Sequence, residues 1–245
     1  MGNNLPFRQL IFIFKLRNSK TLFFILAGNC PMLFSQSFTF NPFQENTFVL
    51  WEETKSAIII DPGCFDAEEQ SELRNFIQSK ELRPEAVWLT HAHIDHILGL
   101  DFCLREWRIP FFIHPEEMSS FKATEIYAPN YGFHAFRLPL EEPVFYPKEN
   151  KISLGKEEFE IRFVPGHCLG HVAFLHKTSG QVWAGDVLFR QSIGRTDLPG
   201  GNFEILANSI KNQLYTLPDE TIVYPGHGPE TKIGFEKKFN PFVQG

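Results

Sequence analysis

Thr90-His-Ala-His-Ile-Asp-His-Ile-Leu-Gly99 sets three histidines and one carboxylate, His91, His93, His96 and Asp95, inside six residues. Each of these side chains costs free energy to desolvate and needs a partner once buried. A bound cation meets that need for all of them together, so the stretch reads as a metal-ligating loop, the alternative being a solvated polar turn. Upstream, Glu85-Ala-Val-Trp-Leu-Thr90 is a short apolar run of the kind that forms a buried strand. Downstream, Ile97, Leu100, Leu104 and Trp107 recur at near-helical spacing. The loop therefore joins a strand to a helix. In extended backbone His91 and His93 project to one side and Asp95 and His96 elsewhere, so one segment can serve two neighbouring cations.

Toward the N-terminus the pattern is strand, turn, strand. The runs 37–40, 46–51 and 57–60 are rich in Phe, Val and Ile and are separated by Asn41-Pro42 and by Glu52 to Lys55, which predicts an antiparallel meander. Asp61-Pro62-Gly63 ends the third strand; Asp61 is either a turn former or a residue standing behind the ligands. Asp66-Ala-Glu-Glu69 predicts a capped helix to about Lys80, with Leu73, Phe76 and Ile77 on its buried face. The first 44 residues hold Arg8, Lys15, Arg17 and Lys20 but no acidic residue, and carry two apolar runs too short to span a bilayer. Residues 1–34 are therefore set apart as the product of a start codon placed too early, with Met32 the alternative start, as an export or membrane-tethering leader, or as a structured extension. Residues 35–245 form the folded domain.

Beyond the loop, Pro110-Phe-Phe-Ile-His114 predicts a strand and Pro115-Glu-Glu a short helix. Residues 124–150, with four prolines and several aromatics, read as a loop in which Tyr127, Tyr131, Phe133, His134 and Phe136 line a substrate entrance or simply pack on one another. Strands are expected at 151–154, 158–164, 172–176 and 181–184, and a helix at 203–217. Three further candidate ligands follow apolar runs and a glycine: His167 in Pro-Gly-His, Asp186 in Ala-Gly-Asp and His227 in Pro-Gly-His-Gly. Strand ends along one sheet edge are where a rigid site can be assembled.

Composition agrees with an enzyme. The 245 residues are 43% hydrophobic and 21% charged, as in an ordinary globular domain, and the net charge of −6 argues against nucleic acid as a partner. The 27 phenylalanines are read as core filling, and the four cysteines form no Cys-x-x-Cys pair, which points to a reducing, cytoplasmic compartment with no stable membrane partner.

In order and spacing, Thr-His-Ala-His-Ile-Asp-His at 90–96, Pro-Gly-His at 165–167, Gly-Asp at 185–186 and Pro-Gly-His-Gly at 225–228 resemble the metallo-β-lactamase superfamily. Gly194-Arg-Thr-Asp-Leu-Pro-Gly-Gly201 and Asn240-Pro-Phe add a resemblance to its single-domain glyoxalase II-like hydrolases. The resemblance implies an α+β fold, a four-layer αββα sandwich. It also implies two divalent metal ions, zinc first with iron or manganese as alternatives: His91, His93 and His167 hold one, Asp95, His96 and His227 the other, and Asp186 bridges them. Asp95 and Asp186 thereby take part in catalysis around a shared hydroxide. The expected substrate is a small thioester such as S-lactoylglutathione, whose thiol leaves without a strong general acid. Asp186 is expected to set the chain apart from the zinc β-lactamases. Arg195, Tyr131 and His134 are the candidate substrate-binding residues; the glutathione-specific enzymes use a C-terminal extension for that purpose, and Arg195 either replaces one of its cations or pairs with Asp197. An iron-dependent persulfide dioxygenase and a non-catalytic binding protein are the alternatives on this scaffold. Cys168, His171 and His114 are assigned packing or supporting roles.

Overall fold

The computed structural model describes residues 32–245 and, ahead of them, only Ile11–Phe12 paired antiparallel with Ile25–Leu26. The leader reading of the N-terminal segment lies otherwise outside the described residues. Two six-stranded sheets stack face to face. The first runs β1 (Phe34–Phe40), β2 (Glu45–Trp51), β3 (Ser56–Ile60), β4 (Arg83–Trp88), β5 (Phe111–Ile113) and β6 (Val144–Phe145), in that spatial order. Its first two pairings are antiparallel and the rest parallel. The second contains β7 (Lys151–Leu154), β8 (Glu157–Phe163), β9 (Val172–His176), β10 (Gln181–Gly185), β13 (Ile222–Pro225) and β14 (Thr231–Lys232), with only β10 and β13 parallel. Between β10 and β13 the chain forms a small hairpin, β11 (Leu188–Phe189) with β12 (Ser192–Ile193).

Strand period two explains the layers. Along β3, Ile58 and Ile60 join Trp88, Phe159, Phe174 and Trp183 in a core between the sheets. Their neighbours Ala57 and Ile59 face the other way, into a core shared with α1 (Ala67–Ser79) and α3 (Leu100–Trp107). The second sheet repeats this: Ala173, Val182 and Val223 turn outward onto α5 (Phe203–Ser209) and α6 (Ile233–Phe239). Strands buried on both faces must be apolar throughout, as Ser56–Ile60 and Val172–His176 nearly are. The result is the expected αββα sandwich.

Local signals place the elements well. Asp66 caps α1 by accepting from the Glu68 and Glu69 N–H groups at 3.0 and 2.9 Å. Glu69 reaches back to the Phe65 and Asn41 N–H groups at 2.7 and 2.6 Å, tying the helix start to the β1–β2 turn. The 203–217 helix is shorter in its α form, passing into a π turn over Ile210–Leu214. The largest departure is at 124–150. Helix α4 (Met118–Tyr127) and a 3-10 turn (Ala128–Tyr131) occupy its beginning, and β6 near its end extends the first sheet. Phe133 and Phe136, read as possible entrance residues, are buried in the core instead. Among the described residues no helix is long and apolar enough to cross a membrane.

Candidate metal centre

The seven candidate ligands meet where strands of both sheets end. His91 and His93 follow β4; Asp95 and His96 lie on the single helical turn α2 (Ile94–Ile97). His167 sits on the turn after β8, Asp186 directly after β10, and His227 one glycine beyond β13. Two glycines make the approach possible. Gly166 adopts φ +125° with Leu206 backbone 2.2 Å from where a Cβ would stand, and a Cβ on Gly226 would lie 2.2 Å from Asp186 Oδ1.

Distances resolve two sets with one carboxylate between them. Ligand atoms of His91, His93 and His167 lie within 4.8 Å of one another, as do those of Asp95, His96 and His227. His93 Nδ1 and His167 Nε2 are 2.8 Å apart. In the second set His227 Nε2 is 3.0 Å from Asp95 Oδ2, and His96 Nε2 is 3.6 Å from the same oxygen. Asp186 faces both sets: Oδ2 is 3.6 Å from His167 Nε2 and 3.5 Å from His227 Nε2, and Oδ1 is 3.4 Å from His96 Nε2.

The hydrogen bonds behind the rings fix which nitrogen is bare. His167 Nδ1 donates to the Arg195 carbonyl at 2.8 Å, and His227 Nδ1 faces the Phe43 and Gln44 carbonyls at 3.1 and 3.2 Å. His96 Nδ1 donates to Asp61 Oδ2 at 3.1 Å. His91 Nδ1 donates to Thr90 Oγ1 at 3.0 Å, and that hydroxyl donates onward to Asp61 Oδ2 at 2.5 Å. With each Nδ1 tied to an acceptor, Nε2 is the atom that all four rings turn to one space. His91 Nε2, His96 Nε2 and Asp186 Oδ1 are buried there without a hydrogen-bond partner. Orphaned acceptors of this kind, backed by acceptors on the far side of the ring, fit divalent cations held by imidazole and carboxylate.

Electrostatics divides the sets. Burial, reinforced by His167, lowers His93 to about 3. Burial likewise carries His91 well below the ordinary histidine value, with His96 adding to it. Burial alone would lower His227 too, but the Asp186 and Asp95 carboxylates lift it to about 9. His96 is lifted in the same way, burial being outweighed by Asp95 and Asp186. Burial opposes ionisation of Asp186, yet His96 and His227 hold it well below the usual carboxylate range. Without metal, His91 and His93 are thus neutral at neutral pH, while His96 and His227 of the second set must shed protons.

Asp61 proves to be both things its sequence allowed. It ends β3 at φ +48° and accepts from the Thr90 N–H at 2.7 Å as well as from His96 and Thr90 Oγ1. His171 accepts the Asp186 N–H on Nε2 at 3.0 Å and stacks on His91, so it supports two ligands. Several supporting residues carried no sequence signal. Asn46 donates to the Pro225 and Gly228 carbonyls that flank His227, and Asn41 donates to the Asp95 carbonyl. Glu45 is buried 3.9 Å from His96, its carboxyl raised well above the usual value by burial with His96 pulling the other way. Asn41 stands in a turn and Glu45 and Asn46 open β2, so the sequence reads them only as turn and strand-edge residues.

The three candidate substrate-binding residues sit differently. Tyr131 is exposed and packs edge-on to Phe43, whose carbonyl faces His227, so it borders the site. Arg195 makes a two-pronged ion pair with Asp197 at 2.7 and 2.8 Å, the second of its two readings, and its carbonyl rather than its guanidinium serves the site. His134 is exposed, with its carbonyl accepting from Arg137.

Fold and site together define a metal-binding αββα protein. The chain belongs to the metallo-β-lactamase superfamily, whose model matches residues 40–227. It is 34% identical over 206 residues to hydroxyacylglutathione hydrolase GloC of Haemophilus influenzae, covering 82% of this chain and 93% of that protein. The solved structure of TTHA1623 in a di-iron-bound form is similar at 36% identity and TM-score 0.76, covering 85% of this chain and all of that one. The BLEG-1 B3 metallo-β-lactamase is similar at 33% identity and TM-score 0.75, over 86% of this chain and 100% of that one.

Proposed function

We propose that the protein is a thioester hydrolase of the glyoxalase II type that acts on a small acyl-thiol substrate such as S-lactoylglutathione. The observation that carries the reading is the convergence of four Nε2 atoms, His93 Nδ1 and two carboxylates on one opening, with every opposing Nδ1 tied to an acceptor. The likeness to GloC supports the substrate class. In this reading His91, His93 and His167 hold one metal, Asp95, His96 and His227 the other, and Asp186 both. The metals supply Lewis acidity and a hydroxide nucleophile near neutral pH. Zinc suits the donor set, and iron is favoured equally by the di-iron form of TTHA1623.

The protein's own residues then orient and exclude. Asp95 lies 3.0 Å from His227 Nε2 and can take up a proton at Oδ2 during attack. A thiol of pKa about 8.5 leaves as thiolate, so no side-chain acid has to stand opposite Asp95. Phe43 and Tyr131 give the substrate an apolar wall beside His227.

The test is hydrolysis of S-lactoylglutathione by the purified protein, with metal content measured on the same sample and a chromogenic β-lactam and a persulfide run alongside. Thioester turnover that is lost in His93→Ala supports the reading. β-Lactam turnover without thioester turnover, or oxygen uptake with a persulfide and one iron per chain, overturns it.

A further inference from the structure

Glu117 is completely buried, in the short turn Pro115–Glu117 that leads into α4, and it lies outside both ligand sets. Its two carboxyl oxygens serve two different loops. Oε2 accepts the Ala92 N–H at 3.0 Å, from the peptide between His91 and His93. Oε1 accepts the Gly170 N–H at 2.7 Å, three residues after His167. The Ala92 carbonyl is held as well, by Thr124 Oγ1 of α4 at 3.1 Å. Gly170 answers the close approach, since a Cβ there would stand 2.7 Å from Glu117 N and 2.8 Å from its Cγ.

These contacts join the two halves of the sandwich. His91 and His93 come from the end of the first sheet and His167 from the second, the gap between the two loops being bridged at Thr90 by the Val172 N–H on its carbonyl at 2.9 Å. A carboxyl group that takes one N–H from each loop sets that gap to the span of its own two oxygens. Such bonds are the strong kind when the acceptor is ionised, and burial leaves no water to replace either.

We infer that Glu117 is a positioning residue for the first metal set, clamping the His91–His93 loop to the His167 loop; this rests on the metal reading above. The clamp acts on His91, His93 and His167 and leaves Asp95, His96 and His227 to their own supports, Asp61, Asn41 and Asn46.

Glu117→Gln tests it, because glutamine keeps the shape but presents an oxygen to one loop and an amide to the other. The control is Glu157→Gln, another buried carboxyl, which pairs with His176 at 2.9 Å six residues down β8 from Phe163, about 20 Å away by strand rise. Zn(II) binding by chelator competition and the visible spectrum of the Co(II)-loaded protein are measured on wild type and both variants. We expect Glu117→Gln to weaken one of the two metals by about 10–100-fold and alter the Co(II) spectrum, as loss of a supporting hydrogen bond does elsewhere. Glu157→Gln should lower the unfolding temperature with both metal affinities unchanged. If Glu117→Gln is insoluble, Gly170→Ala, which pushes the same loop off the carboxyl, should give the same selective loss. Wild type that binds two metals while the soluble variant binds both as tightly, or both equally weakly, overturns the inference alone. Wild type that binds no metal overturns the metal reading with it.

Discussion

Asp61→Asn changes one atom and should disable the second metal set while leaving the fold in place. Asp61 Oδ1 accepts the Thr90 N–H at 2.7 Å, and asparagine can keep that bond with its carbonyl oxygen. The amide NH2 then replaces Oδ2, which in the native protein accepts from Thr90 Oγ1 at 2.5 Å and from His96 Nδ1 at 3.1 Å. The Thr90 hydroxyl can turn to accept, but the His96 ring has one remedy: Nδ1 becomes the acceptor and the proton moves to Nε2. That atom faces Asp95 and Asp186 and must be bare to bind a metal. The backbone gives no separate reason for failure, since φ at residue 61 is +48°, a conformation asparagine tolerates as well as aspartate. Exchanging a supporting acceptor for a donor is worth about 10–100-fold in metal affinity, or about 1.4–2.8 kcal/mol. Chelator competition with Zn(II) should show the weaker metal lost by that factor, with a folded, cooperatively unfolding protein. An Asp61→Asn protein that binds both metals with native affinity would refute the tautomer argument.

Gly226→Ala should abolish binding at the second set in a metal titration, because its Cβ would stand 2.2 Å from Asp186 Oδ1 and 2.7 Å from His96 Cε1. Tyr146→Phe removes a hydroxyl that donates to the Leu89 carbonyl at 2.9 Å in the buried interior; denaturant unfolding should show a loss of about 1–3 kcal/mol with metal content intact. In the metal-free protein, stability should pass through a maximum near neutral pH. His227, raised to about 9 in the folded state, stabilises it fully below about 6.5 and loses that contribution as pH rises toward 9. His93, lowered to about 3, acts in the opposite sense, its neutral burial costing stability as pH falls below about 6.5. Calorimetry in buffers of different ionisation enthalpy should accordingly find protons released when the second metal binds at pH 7, and a stability that only rises from pH 6 to 9 would contradict the assignment.

The seven candidate ligands that the structure brings together were legible in the sequence because such a loop breaks the ordinary rules of burial within a few residues, as Thr90 to Gly99 does. The strands were legible because those buried on both faces are apolar along their length. Glu117, Glu45 and Asn46 were not, since a buried carboxyl or amide acquires its meaning from a loop far away in sequence, as Gly170 is from Glu117. Arg195 stayed open for a related reason. A cation near ligands suits an anionic substrate as well as a neighbouring acid, and the structure turns its guanidinium onto Asp197. Residues 118–131 form helix despite Pro129, because the proline stands in the first turn of a new 3-10 segment, where it needs no amide hydrogen.

The central claim is that two metals share this edge of the sandwich. Anomalous diffraction from crystals of the metal-loaded protein tests it most directly. The account predicts two peaks, one against His91 Nε2, His93 Nδ1 and His167 Nε2, the other against His96 Nε2, His227 Nε2 and Asp95, with Asp186 touching both. A single peak, or peaks on the opposite ring nitrogens, would contradict it.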